Sequence, residues 1–166
     1  GEDIERIAAE YLREKGLADL TIITAATPGY GGSHAEGYFF TVRRIVEHLA
    51  EKTEQHTKIN IITPNLSSAD IREIKRILQL MEIDYTLCPD FSDTLDRPYL
   101  RPYTKMPDGG TAIDGIKKMP GAPATIQMGI TVEETMSPGK YLFDEFGVPL
   151  YNVPIPMGVE NTDRFI

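Results

Sequence analysis

Apolar and polar positions along this chain alternate between two rhythms. Short apolar, β-branched runs at residues 21–26, 58–63, 84–88, 124–128 and 149–153 have the length and composition of buried strands. Between them apolar residues recur every three or four positions: Ile4, Ile7, Ala8, Tyr11 and Leu12, then Tyr38, Val42, Ile45, Val46 and Leu49, then Ile71, Ile74, Leu78 and Met81. That spacing gathers each set on one face of a helix. The alternation predicts an α/β fold, a Rossmann-like (doubly wound) three-layer domain with a mostly parallel sheet and helices on both faces.

Cap chemistry sets the helix starts. Ser33 and Glu36 have the Ser-x-x-Glu spacing of a capping box, and Thr131 with Glu134 repeats the pattern. Ser67 or Ser68 caps the helix whose stripe begins at Ile71, leaving Arg72, Lys75 and Arg76 facing water. Residues 111–114 open a short helix to Met119, and Pro138 after Ser137 suits a first helical turn that runs to Gly147. The helix over residues 2–15 ends at Gly16 but has no cap before it, and Asn161-Thr162-Asp163 starts a helix that Ile166 cuts short. We therefore expect residues 1–166 to be a single Rossmann-like domain excised from a longer protein.

Pro28, Pro64 and Pro89 each terminate a predicted strand. In a parallel sheet these ends share one rim, where α/β folds bind their ligands. The most distinctive rim segment is Thr27-Pro-Gly-Tyr-Gly-Gly-Ser-His34, a glycine-rich turn running into a helix N-terminus with unpaired N–H groups. Residues 91–110 have no period and end in Asp108-Gly-Gly110; a loop this long is expected to be functional or partner-facing.

Composition narrows the function. With 17 Lys plus Arg against 25 Asp plus Glu, the net charge of −8 leaves no footprint for nucleic acid and argues against an anionic membrane surface. Cys88 is the only cysteine, so no internal disulfide and no Cys/His cluster of metal-ligand spacing can be written. With no signal peptide or membrane-spanning run, the expected setting is the cytoplasm.

The glycine-rich loop fails both common nucleotide tests. Gly29-x-Gly31-x-x-His34 has histidine where the dinucleotide fingerprint needs its third glycine, and no Gly-Lys-Ser/Thr follows. His34, in a first helical turn, reads as a neutral hydrogen-bonding side chain, and His48 and His56 read as surface residues. Cys88 reads as a small core residue, and Asp90, Asp93 and Asp96 as solvated loop carboxylates. No catalytic constellation emerges from these residues.

The segment 27–34 with Gly37 resembles the Thr-Pro-Ser-aromatic-x-Gly-Ser-His-x-x-Gly stretch of the β subunit in the nitrogenase component 1 family. Lys58-Ile-Asn-Ile61, Leu95-Asp96-x-Pro98 with Gly109-Gly-Thr111, and Val148-Pro149 through Asn152-Val-Pro-Ile-Pro-Met-Gly158 to Thr162-Asp163-x-Phe165 agree in the same order. The resemblance implies an oxidoreductase of nitrogen fixation in which α-like and β-like subunits form an α2β2 heterotetramer. An iron protein (the reductase) would feed electrons through an interface iron-sulfur P-cluster to an iron-molybdenum cofactor in the α-like subunit. It also implies that Thr27, Pro28, Gly29, Tyr30, Ser33 and His34 lie beside the cluster, and that Gly29 stands where the family has a serine ligand.

No catalytic residue and no metal ligand is thus expected within these residues, and the isolated domain is expected to be inactive. Two alternatives stay open: a cofactor-assembly scaffold of the same family, and a flavodoxin-like small-ligand or nucleotide-binding domain using residues 29–33 as an anion nest.

Overall fold

Strands β1 (Ile59–Ile62), β2 (Tyr85–Cys88), β3 (Thr125–Met128) and β4 (Leu150–Val153) form an all-parallel sheet in the order β2-β1-β3-β4. The computed structural model describes residues 3–17, 19–96, 101–102 and 108–166. Ile61 pairs with Leu87 on one side and Ile126 on the other, so β1 is central. The chain steps outward from β1 to β2 and then crosses back to β3, which makes the β1/β3 boundary the topological switch point.

Consecutive residues of a strand face opposite sides, and β1 buries both. Ile61 and Ile62 are each 0% exposed. Ile62 packs in a core with Phe39, Val42 and Val46 of α2 (His34–Leu49), Ile116 of α4 (Ile113–Lys118) and Leu142 of α5 (Pro138–Phe146). Ile61 packs on the other face with Ile71, Ile74 and Leu78 of α3 (Ser68–Leu80) and Phe165 of α6 (Gly158–Phe165). These are the three layers that the alternating pattern predicts.

Residues 21–26 do not form a strand. They lie outside the sheet, with Ile22 39% exposed, and are tied by side chains instead: Arg44 Nε donates to the Thr24 carbonyl at 3.1 Å and the Thr24 hydroxyl to Glu5 at 3.1 Å. β-branched residues favour extension, but only an open strand edge turns extension into a ladder.

The first amphipathic stretch forms α1 (Ile4–Lys15), ended by Gly16 in the left-handed region. Its cap is Asp3, whose carboxylate accepts the Arg6 amide at 3.0 Å. Its stripe is uncovered: no residue of α1 is buried, and Ile4 and Tyr11 are 55% and 51% exposed.

Other boundaries also shift. The box at Thr131 and Glu134 does not form; Glu134–Met136 is a 3-10 turn without a side-chain cap, because Ser137 takes the capping role by accepting the Lys140 amide at the start of α5. α6 begins at Gly158, so Asn161, Thr162 and Asp163 lie inside it. Thr111 does not cap α4; its hydroxyl donates to the Leu87 carbonyl and accepts the Asp90 amide. Of the loop 91–110, residues 97–100 and 103–107, Pro98 among them, lie outside the described residues, as does Glu2 of the first helix.

Candidate functional site

The carboxyl ends of the parallel strands lead into Thr63-Pro64, Pro89 and Gly129 on one rim. The first turns of α2 reach this rim. The Tyr38 hydroxyl approaches that of Thr63 without a hydrogen bond of good geometry, and a Cβ on Gly129 would lie 3.1 Å from Phe39 Cζ. The early turns of α2 therefore lie at the carboxyl ends of β1 and β3, and the loop 27–33 leads into them. Pro64 and Pro89 follow adjacent parallel strands on one rim as expected, whereas Pro28 ends no strand.

The loop has a defined shape. The Gly31 amide donates to the Pro28 carbonyl at 2.9 Å, closing a turn across Gly29 and Tyr30. Gly32, at φ 144°, is the loop glycine whose backbone needs the missing side chain, and a Cβ there would meet Glu36 Oε2 at 2.6 Å. Gly29 has no such need: nothing lies within 4 Å of where its Cβ would stand.

Ser33 and Glu36 make the capping box as expected. The Ser33 hydroxyl accepts the Glu36 amide while the Glu36 carboxylate accepts the Ser33 amide. The Ser33 amide, and after it the Ser33 hydroxyl, hold the Glu36 carboxyl below the usual carboxylate range. The charge at the helix N-terminus is thereby met from within the chain, which argues against an anion nest for phosphate.

Loop and helix together bound a cavity of about 600 Å³. Thr27, Pro28, Gly29, Ser33 and His34 line it, joined by Glu36, Phe40 and Thr41 of α2 and by Met136. Tyr30 stands outside this lining and is 94% exposed. The sequence reading missed Glu36, Phe40, Thr41 and Met136 as lining residues. A signal was present for part of the set: His34, Gly37, Tyr38 and Thr41 are spaced along one helical face.

Across residues 1–166 the chain matches the nitrogenase component 1 type oxidoreductase family. The chain belongs to that family. It is 37% identical over 146 residues to the nitrogenase molybdenum-iron protein beta chain of Clostridium pasteurianum, covering 87% of this chain and 31% of that one. To the nitrogenase vanadium-iron protein beta chain of Trichormus variabilis it is 30% identical over 170 residues, covering 100% and 36%. A solved structure of nitrogenase Cp1 at pH 6.5 superposes with a TM-score of 0.90 at 33% identity, over 99% of this chain and 36% of that one. The chain thus spans about a third of the length of these nitrogenase relatives.

Nitrogenase component 1 membership raises the question of which residues of this segment could ligate a metal cluster. Gly29 has no side-chain oxygen, the Ser33 hydroxyl is engaged in the cap, and among the described residues no group of three or more His, Cys, Asp or Glu could hold a metal. Within the cavity lining the only such side chains are His34 and Glu36, too few for a ligand set of that kind. Cys88 is 2% exposed, and burial pushes its thiol up to about 12. Burial likewise raises the Tyr38 hydroxyl, with neighbouring Cys88 adding to it.

The remaining titratable residues sit apart from the cavity. His48 is exposed, with Nδ1 2.8 Å from the Arg44 carbonyl. His56 is half-buried rather than on the open surface, with Nε2 2.8 Å from the Lys118 carbonyl. Asp90, Asp93 and Asp96 are ion-paired rather than simply solvated: Lys75 holds the first two and Arg72 the third; Arg72 stays exposed as the helical pattern suggests, whereas Lys75 is half-buried. Among the described residues no helix is long and apolar enough to cross a membrane.

Proposed function

We propose that residues 1–166 form one Rossmann-like domain of a β-like nitrogenase component 1 subunit, cytoplasmic and paired with an α-like subunit. Its parent would receive electrons from an iron protein for dinitrogen reduction. The observation that supports this best is the glycine-rich loop at the start of α2, which walls a cavity of about 600 Å³.

When bound, an interface iron-sulfur cluster would supply electron relay. The role of this chain is to shape the wall against it. Pro28 and Gly31 close a turn that holds the loop backbone, and the capping box of Ser33 and Glu36 fixes where that turn joins α2. Thr27, Gly29 and His34 line the cavity, while Tyr30, facing outward, is available to a partner surface. The isolated domain is inert in this reading, because catalysis and ligation belong to residues elsewhere in the parent.

Gly29 gives the scaffold alternative its one specific argument, since a cofactor-assembly relative has no need of an oxygen ligand there. The test is turnover by the parent protein, purified with its α-like partner and mixed with iron protein and ATP. Reduction that requires all three components supports the catalytic reading. A parent that carries and releases a metallocofactor without turnover overturns it in favour of the scaffold.

A further inference from the structure

The segment leaving β2 along the same rim is fastened to α3 at two places with very different solvent access. At its root, Lys75 Nζ lies 2.9 Å from Asp90 Oδ2, 3.0 Å from Ser92 Oγ and 3.2 Å from Asp93 Oδ2. Ser92 is 0% exposed; its hydroxyl donates to Asp90 Oδ1 at 2.6 Å, its amide donates to the same oxygen at 3.0 Å, and its carbonyl accepts from Arg72 at 2.6 Å. Phe91 packs into the core that α3 lines. At the outer end, Arg72 grips Asp96 with both nitrogens, at 2.9 and 2.7 Å. Between the two places the Thr94 and Leu95 amides both donate to the Phe91 carbonyl.

Exposure separates the two fastenings. The Lys75 and Asp90 side chains are 27% and 14% exposed, those of Arg72 and Asp96 44% and 49%. Counterions screen an exposed pair far more than a sheltered one. Burial opposes charge at both Lys75 and Asp90, yet the hydrogen bonds of their cluster outweigh it and keep both ionised. The outer pair is held by its own hydrogen bonds and by the Arg72 contact to the Ser92 carbonyl, but it stands in solvent.

We propose that residues 90–96 are a two-part strap on the carboxyl rim: a root locked by Lys75 whatever the salt, and an outer end that ionic strength releases by opening the Arg72–Asp96 pair. Leu95, an apolar side chain already 73% exposed, rides on the releasable part and moves with it while the anchor stays in place. Arg72 positions both parts, whereas Asp96 acts on the outer part alone. This proposal stands independently of the nitrogenase reading.

Residue-resolved amide exchange on the protein tests it. Raising NaCl from about 0.1 M to about 1 M, which shortens the screening length roughly threefold, should speed exchange at Thr94 and Leu95 about threefold and leave Ser92 unchanged. Asp96→Ala at low salt should already exchange at the faster rate and gain nothing more from salt. Lys75→Met should speed Ser92 as well. Ser92 and Leu95 accelerating together with salt, a full salt response surviving in Asp96→Ala, or no salt response at all would each overturn the strap.

Discussion

The Gly139 amide donates to Oε1 of Gln127 at 3.1 Å, and a Cβ on Gly139 would stand 3.0 Å from that oxygen and 2.5 Å from Leu150 Cδ1. Gln127, 1% exposed, also accepts from the Ser137 hydroxyl and donates to Asn152. One amide side chain thus joins the start of α5 to β3 and β4. Gln127→Ala would leave buried polar groups unpaired and should cost about 2–4 kcal/mol. Gly139→Ala should cost about 1–3 kcal/mol by overpacking. Urea denaturation of both variants checks the values; two neutral results would mean that α5 docks by apolar contact alone.

Ser33→Ala should destabilise by about 1 kcal/mol, the usual value of an N-cap. The capping box also sets a pH dependence. Because folding lowers the Glu36 carboxyl, the unfolded chain takes up its proton first as pH falls, so the contribution is present above the ordinary carboxylate range and fades below it. The melting-temperature gap between wild type and Glu36→Gln should therefore shrink between about pH 5 and about pH 3. A gap that widens on acidification would contradict the assignment.

How far these features could be read from residues alone depends on whether each signal is local. The Ser33 and Ser67 caps, the Gly16 and Gly147 terminations and the four strands of the sheet involve neighbours in sequence or continuous apolar runs, and all appear. Residues 21–26 carry the same β-branched signal, but a strand needs a partner edge that no local pattern specifies. The exposure of the α1 stripe has the same origin: amphipathicity says which face seeks cover, not whether cover is there. At the site, the loop and His34 were legible, whereas Met136 reaches the cavity from a distant turn, and the pairing of Asp90 with Lys75 depends on how α3 lies against β2. Long-range meetings of this kind leave no mark in a window of sequence.

Two glycines should respond oppositely to a side chain. A Cβ on Gly121 would lie 2.2 Å from the Glu54 carbonyl oxygen, a backbone atom that cannot swing aside, so Gly121→Ala should lose about 3 kcal/mol or more. Gly29→Ser meets nothing within 4 Å and should change stability by no more than about 0.5 kcal/mol. Thermal unfolding of the pair separates the cases, and a severe loss in Gly29→Ser would show the loop to be tighter than its geometry implies.

Cys88, with its thiol pushed up to about 12 and its side chain in the core, should resist an aromatic disulfide reagent at neutral pH while folded and react fully in denaturant. Rapid labelling of the folded protein would place Cys88 in an opening segment.

The central claim, that the loop at residues 27–34 walls a metal cluster it does not ligate, is tested most directly by iron-edge anomalous diffraction from crystals of the parent complex. The account predicts iron in van der Waals contact with the loop, about 4 Å from Pro28 or Gly29 atoms, with every ligand coming from outside residues 1–166. Iron bound by a side chain of this segment, or no iron near the loop in a complex that turns over, would contradict it.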